Sequence, residues 1–415
     1  MLSRLIEFSV HRRVAVLVLA AILALFGIRA YHNLSIEAFP DVTNAQVQVI
    51  TQMPGYAAAE VERQVTIPLE RALNGTPRMT LLRSENLFGL SIITLVFDDD
   101  ADPFNSRMVV GQRLGDADLP DGVTPALAPE STPLGKIYRF RMTSDRHDLF
   151  TIRSEMQWTV TRILRQVQGV ADVVPFGGYL KEMQVQPDPA KLYAAGISLD
   201  TLEETLDKAN LNVGGGFLRT GDQELTVRGI GVIQSPEDIK QIPLKTRDGT
   251  ALTIGDVATI QTAPTPRRGS VSYNDQREVV EGLVLMRRGE NPSLVLDGIH
   301  EQVERLNDTI LPKGMKIVPV YDRSELVGHT IGTVQDNLLH GFLLVIAIVW
   351  LFLRSITGSA VVSVVIPLSL LTAFIGLSLL GLPANLISMG AIDFGILVDG
   401  AVVLVEAVMP TAAKF

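Results

Sequence analysis

Three carboxylates interrupt a stretch of chain that otherwise reads as hydrocarbon: Asp393, Asp399 and Glu406, within residues 385–409. An acid near a bilayer centre costs about 2.5–3.5 kcal/mol on insertion scales, so intramembrane acids mark ion and proton pathways. On a helix, Asp399 and Glu406 are seven residues apart and share a face, about 10.5 Å apart along the axis. Asp393 lies six residues before Asp399, about 9 Å along and roughly 240° round. Burial raises a carboxyl pKa and brings proton uptake and release toward neutral pH. The chemistry that such a ladder supports is a proton relay. Static pairing with a base is the bland alternative, but no Lys or Arg lies between Arg354 and Lys414. An aspartyl protease needs two carboxylates meeting across one bond, which a single helix with this spacing does not offer.

Other chemistry is poorly supported. The chain has no cysteine, which excludes disulfides, thiolate metal sites and cysteine nucleophiles. Its six histidines (His11, His32, His147, His300, His329, His340) include no pair at metal-binding spacing. Met142, Met156 and Met183 read as core fillers, and Asp98-Asp99-Asp100 as a solvated turn. Gly214-Gly215-Gly216 reads as the tip of a projecting hairpin. It is no phosphate cradle, because no strand leads into a GKS/T-type turn. With no nucleophile–base pattern, the chain is not expected to be an enzyme, and no cofactor is implied. Its 415 residues carry 36 basic and 45 acidic side chains, a formal charge of -9. That balance and a pI near 5.3 argue against a nucleic-acid-binding surface. A mean hydropathy of +0.27 averages over strongly apolar ends and a polar middle.

The relay residues require spans to hold them. Val14–Ile28 is uncharged between Arg12-Arg13 and Arg29; with Arg29 snorkelling it makes a first span. A secretory signal is the competing reading, but Gly27-Ile28-Arg29-Ala30 is a poor cleavage site, so a retained anchor is expected over 1–34. Further spans are expected at 336–354, 357–380 and 385–409, the last two separated by the turn Gly381-Leu382-Pro383. Arg4, Arg12 and Arg13 put the N-terminus in the cytoplasm, Arg354 marks a cytoplasmic turn and Lys414 a cytoplasmic end. The roughly 300 residues between the first and second spans then lie outside the membrane.

That middle region alternates strand and helix patterns. Gln46–Thr51 has period two, as a half-buried strand should. Val61, Val65, Leu69 and Leu73 recur four apart within Ala57–Leu73, as on one helix face. Strand Ile92–Phe97 and helix Pro103–Leu114 follow. The cycle returns at Lys136–Met142, Leu149–Val167 and Val170–Val174, and again at Glu278–Met286, Pro292–Leu306 and Lys316–Val320. The fold expected is an α+β membrane protein whose soluble part is built of split-βαβ, ferredoxin-like subdomains with helices on one face.

The segment Gly390-Ala391-Ile392-Asp393-Phe394-Gly395 through Val398-Asp399-Gly400 to Glu406 resembles the fourth-helix motif of heavy-metal efflux pumps. These pumps form the cobalt–zinc–cadmium and copper–silver branch of the resistance–nodulation–division (RND) superfamily. Supporting matches are Glu37-Ala38-Phe39-Pro40-Asp41-Val42-Thr43-Asn44, Leu119-Pro120-Asp121-Gly122-Val123 and Asn212-Val213-Gly214-Gly215-Gly216. The resemblance implies an inner-membrane, multi-pass, proton-driven exporter of metal cations in a Gram-negative bacterium. It also implies a homotrimer joined to a periplasmic adaptor and an outer-membrane channel. Porter subdomains would occupy 35–135, and 136–180 with 271–330; a docking subdomain would occupy 181–270, with Gly214–Gly216 at its inter-subunit tip. Asp393, Asp399 and Glu406 carry over as the proton relay. The Asp-Phe-Gly setting of Asp393 looks like the divalent (Zn, Co, Cd, Ni) subgroup rather than the copper–silver one.

Family members are more than twice this length, and after Glu406 the chain departs from their Asn and basic segment. The resemblance therefore implies an N-terminal half, without the basic partner of the relay and much of the metal path. Its metal-binding residues are unknown. Two rivals stand beside metal export: an RND exporter of organic compounds, and a non-transporting remnant that only binds pump partners.

Overall fold

The computed structural model describes residues 11–34, 36–37, 41–247, 250–267, 269–353, 356–385 and 403. Helix α1 (Arg13–Asn33) leads into a two-residue strand β1 (Ile36–Glu37). The first mixed unit follows: β2 (Gln46–Gln52), helix α2 (58–73), β3 (Met79–Leu87), β4 (Leu90–Phe97), α3 (Pro103–Leu114) and β5 (Pro125–Leu127). Its strands lie in the order β3-β4-β2-β5, each antiparallel to its neighbours. Val47 and Val49 of β2 are buried, as the period-two pattern predicts. The four-apart stripe of α2 (Val61, Val65, Leu69, Leu73) is wholly buried in one core with Val47, Val49, Ile93, Leu95 and Val110 of α3. Both helices therefore cover the same sheet face. A π-turn at Glu62–Thr66 interrupts α2. Strand β3 has no expectation from the sequence, because its residues are all exposed or half-buried and lack a clear apolar alternation.

A second unit repeats the plan with β6 (Lys136–Ser144), helix α4 (149–164) and β7 (Val170–Gly177). The chain then leaves the sheet for an inserted unit. This comprises β8 (Lys181–Pro187), α5 (Pro189–Ala195), α6 (Leu199–Ala209), β9 (Val213–Thr220), β10 (Gln223–Gly229), α7 (Pro236–Lys240), β11 (Pro243–Arg247), β12 (Thr250–Thr253), α8 (Ile254–Val257) and β13 (Ala258–Pro264). Strands β8 and β13 pair antiparallel at its base, so the insertion leaves and re-enters at one place. The sheet resumes with β14 (Val280–Met286), helix α9 (292–310) and β15 (Met315–Asp322). The second sheet has the order β15-β6-β14-β7, again antiparallel throughout. Its core joins Phe140, Met142 and Val284 to Met156 and Val160 of α4 and Leu296 and Ile299 of α9. Met142 and Met156 are core fillers, as their setting suggested. Gly282 leaves room for Met156 and Phe140: a Cβ there would lie 2.3 Å from Met156 Cε and 2.4 Å from Phe140 Cζ.

From Asp322 the chain runs directly into α10 (Arg323–Leu353), then α11 (Ile356–Leu380) and a two-residue strand β16 (Ala384–Asn385). Among the described residues two helices are long and apolar enough to cross a membrane, Arg13–His32 in α1 and Ser359–Leu380 in α11, each with a mean hydropathy of 2.4. They are only 11% and 22% buried, which a core helix of a soluble protein would not be. The expected 336–354 span falls in α10, a helix of 31 residues or about 46 Å, whose apolar part is Leu339–Phe352. The expected 385–409 span lies outside the described residues apart from Asn385 and Val403. Helices α1 and α11 pack through Ala30, Leu34 and Phe374. Gly27 permits their close approach, since a Cβ there would lie 2.5 Å from Leu371 Cβ.

Candidate functional site

Asp393, Asp399 and Glu406 lie outside the described residues. What leads into them is described. Strand β16 pairs in parallel with β1, Ile36 with Ala384 and Glu37 with Asn385, and Ala384 is fully buried. The acid-bearing segment therefore starts from a point pinned to the end of α1. The turn at Gly381 (φ +65°) adopts the left-handed conformation that glycine takes without strain.

Around this pin the chain gathers charge. The Arg288 guanidinium donates from Nη2 to the Thr43 carbonyl at 2.7 Å. Thr43 N–H donates to Asp41 Oδ1 at 3.1 Å. Arg323, 4% exposed, donates to the Leu134 carbonyl. Burial pushes the Glu37 carboxyl above its ordinary pKa, and the nearby Arg323 charge opposes that only in part. Burial also works to raise Asp41, but hydrogen bonds from Thr43 and Thr132 and the Arg288 charge hold it below the ordinary carboxyl value. The Glu37–Asn44 segment carries a family-like motif, yet nothing local in the sequence places it against Arg288 and Arg323. Their 245- and 286-residue separations from Thr43 and Glu37 hide the contact.

A second cluster ties the soluble part to α10. His300 Nε2 lies 2.6 Å from Asp322 Oδ2. Asp322 Oδ1 accepts from the Ser324 backbone N–H at 2.9 Å and from Ser324 Oγ at 2.5 Å, an N-cap on the helix. Tyr138 stands edge-on to His300 at 5.9 Å between ring centres. Its hydroxyl pKa is pushed up to about 12 by burial and by the Asp322 charge. Serine, histidine and aspartate here make no nucleophile triad, since Ser324 and His300 both bond to Asp322 rather than to one another. Among the described residues no group of three or more His, Cys, Asp or Glu side chains could hold a metal ion. Asp98 and Asp100 flank Arg78, with Arg78 Nη2 2.7 Å from Asp98; the acidic run is the exposed turn it was read to be.

The predicted hairpin exists but its glycines are elsewhere. Strands β9 and β10 pair from Thr220–Gln223 back to Val213–Gly229, so the turn is Gly221-Asp222. Gly214–Gly216 sit at the end remote from that tip. There Gly215 and Gly216 together oppose Val227, between the Phe217–Thr226 and Gly214–Arg228 pairs. This is a β-bulge. Gly216 adopts φ +76°, and a Cβ on Gly215 would lie 2.8 Å from Val227 Cγ1. The glycines thus bend the ribbon at its base. Every residue of both strands is exposed, including Phe217, Leu218 and Leu225.

HelA of Legionella pneumophila is 38% identical over 415 residues, covering 98% of this chain and 39% of HelA. The cobalt-zinc-cadmium resistance protein CzcA of Cupriavidus metallidurans is 38% identical over 417 residues, again 98% of this chain and 39% of the relative. The cation efflux system protein CusA of Escherichia coli is 35% identical over 413 residues, with the same coverage. A crystal structure of a heavy metal efflux pump superposes with a TM-score of 0.92 at 40% identity, covering 99% of this chain and 42% of that one. The chain spans about two fifths of the length of these relatives. The family model described as AcrB/AcrD/AcrF matches residues 5–414, nearly the whole sequence, and the chain belongs to that family.

Proposed function

We propose that this chain is the N-terminal part of a proton-driven exporter of heavy-metal cations. It would work in transport rather than catalysis, with metal ions and protons as cargo and no resident cofactor. The observation that carries the reading is the acid ladder Asp393, Asp399 and Glu406 in an otherwise uncharged stretch. That stretch belongs to a chain alike over 98% of its length to proteins named for cobalt, zinc and cadmium resistance. Asp399 is assigned as the main proton carrier, with Asp393 and Glu406 assisting. Divalent cations of the Zn, Co, Cd and Ni type are the favoured cargo. In this reading α1, the apolar part of α10, α11 and the 385–409 segment cross an inner membrane. The two split β-α-β sheets serve as porter subdomains outside it, and the β8–β13 insertion as a docking subdomain. The exposed β9–β10 ribbon reaches a neighbouring copy in a homotrimer, which engages an adaptor and an outer-membrane channel.

A second reading is a chain that binds pump partners without transporting. Metal-driven proton flux in everted membrane vesicles separates the two. Flux from the wild-type chain that Asp399→Asn reduces at least tenfold, with both proteins present in the membrane, is the expected result. Flux retained in Asp399→Asn would remove Asp399 from the relay, and flux from neither would favour the binding-only reading.

A further inference from the structure

Two adjoining cavities open where β1, β14 and the end of α11 meet, and their linings differ in character. One, of about 170 Å³, is charged: Glu37, Asp41, Arg287, Arg288 and Arg323 line it beside Thr132. The other, of about 250 Å³, is lined by Leu34, Leu377 and Leu382 with Ser378 and Glu290. Glu37, Gly289 and Pro383 line both, so the two adjoin. Between them they reach the size range of small-ligand sites, roughly 300–1,000 Å³. Leu34 directly follows α1, and Leu377 is in the last turn of α11. The apolar chamber thus sits at the ends of the two membrane-length helices, where hydrocarbon gives way to water.

The charges in the other chamber are only partly matched within the chain. Arg323 acts on Glu37 and Arg288 on Asp41 through their charges. Backbone carbonyls hold Arg288 and Arg323 in place, where Arg288 faces Asp41 and Arg323 faces Glu37, so Arg287 is the cation in excess over those two acids. A metal cation would be repelled by three guanidinium groups. A simple anion would meet the Glu37 and Asp41 carboxylates beside the arginines. A zwitterion with an apolar tail satisfies both signs and both chambers.

We propose that the paired cavity binds the headgroup of an aminophospholipid from the surrounding bilayer. Its phosphate lies against Arg287, Arg288 and Arg323, its ammonium against Glu37 and Asp41, and its first acyl carbons along Leu34, Leu377 and Leu382. Guanidinium forks suit phosphate oxygens, and basic pockets between spans recognise lipid headgroups. The upward push on the Glu37 carboxyl is one that a bound ammonium would reverse. Because the site abuts the β1–β16 pin, a lipid there would brace the entry to the acid-bearing segment. The inference rests on α1 and α11 being membrane spans.

The test begins with fractionation of cells expressing the full chain. A chain recovered without membranes overturns the span reading itself, and the lipid site with it. The membrane-extracted chain is then offered phosphatidylethanolamine, phosphatidylglycerol and phosphatidylcholine in equal amounts, and retained lipid is read by native mass spectrometry. Several-fold preference for phosphatidylethanolamine is expected. Arg287→Gln should lower retention of every phospholipid, and Glu37→Gln should remove only the preference. Arg287 is exposed, so its substitution leaves the fold intact. Equal retention of the three lipids, or a preference unchanged in both variants, overturns the proposal. Retention of water-soluble glycerophosphoethanolamine as strong as that of the lipid also overturns it, in favour of a soluble phosphodiester.

Discussion

At the scale of single residues, burial and partner decide what each group contributes. Glu37 illustrates the sign. Its carboxyl pKa is raised above the ordinary 4.5, first by burial, so in that window the folded state holds more protons than the unfolded one. Stability then falls as pH rises from about 4.5 through the folded pKa. In lipid-free detergent, Glu37→Gln should therefore unfold at a higher temperature than wild type at pH 7. The difference should close as pH drops below 4.5. Thermal melts across that range check this, and a neutral-pH melt lower than wild type would count against it. Gly282 shows the opposite dependence on a single atom. A methyl group there meets Met156 and Phe140 at under 2.5 Å, and overpacking of a filled core costs about 1–3 kcal/mol. Gly282→Ala should lower the unfolding midpoint without altering membrane insertion, as melting and fractionation would show.

At the scale of elements, the contact between α1 and α11 is set by a small residue facing a large one. Gly27 is buried against Leu371, and the ring centres of Tyr31 and Phe374 lie 5.3 Å apart. Lipid tails are as apolar as leucine, so such helices associate through close packing rather than hydrophobic burial. Gly27→Leu should separate them. The native chain has no cysteine, so a Tyr31→Cys, Phe374→Cys pair gives a background-free cross-link. Its yield should fall several-fold when Gly27→Leu is added; an unchanged yield would show that Gly27 does not set the contact. The end of α10 nearest the sheets is fastened differently, by Asp322 capping the helix while also meeting His300. That contact joins the second sheet to a helix about 46 Å long.

At the scale of the whole molecule, the β9–β10 ribbon is the feature the chain itself does not cover. An isolated two-stranded hairpin is marginally stable in water, and this one exposes Phe217, Leu218 and Leu225. It should be an interface between copies. Leu218→Ser with Leu225→Ser should shift the detergent-extracted chain from oligomer toward monomer in light-scattering mass measurements. Stability should change by less than about 0.5 kcal/mol, as surface substitutions do. An oligomer of undiminished mass would exclude the ribbon from the interface.

Much of this architecture is legible in the sequence, for identifiable reasons. Val47 and Val49 show period two, and Val61, Val65, Leu69 and Leu73 recur four apart; local geometry turns each pattern directly into a buried face. Long uncharged runs likewise declare α1 and α11, because a bilayer imposes a length. Strand β3 was not legible, since half-exposed residues carry no clean alternation. The glycine triplet was legible as part of a hairpin but misplaced at its tip. The sequence shows that glycine is needed there, whereas only the pairing register shows that it serves a bulge. The charged junction was illegible as well. Glu37, Arg288 and Arg323 come from three distant parts of the chain, and no local periodicity encodes which of them meet. The residue types of the acid ladder and the membrane-length runs were determined by sequence alone. Which side chains share a cavity was decided by the tertiary fold, because long-range contact depends on how sheets and spans close on one another.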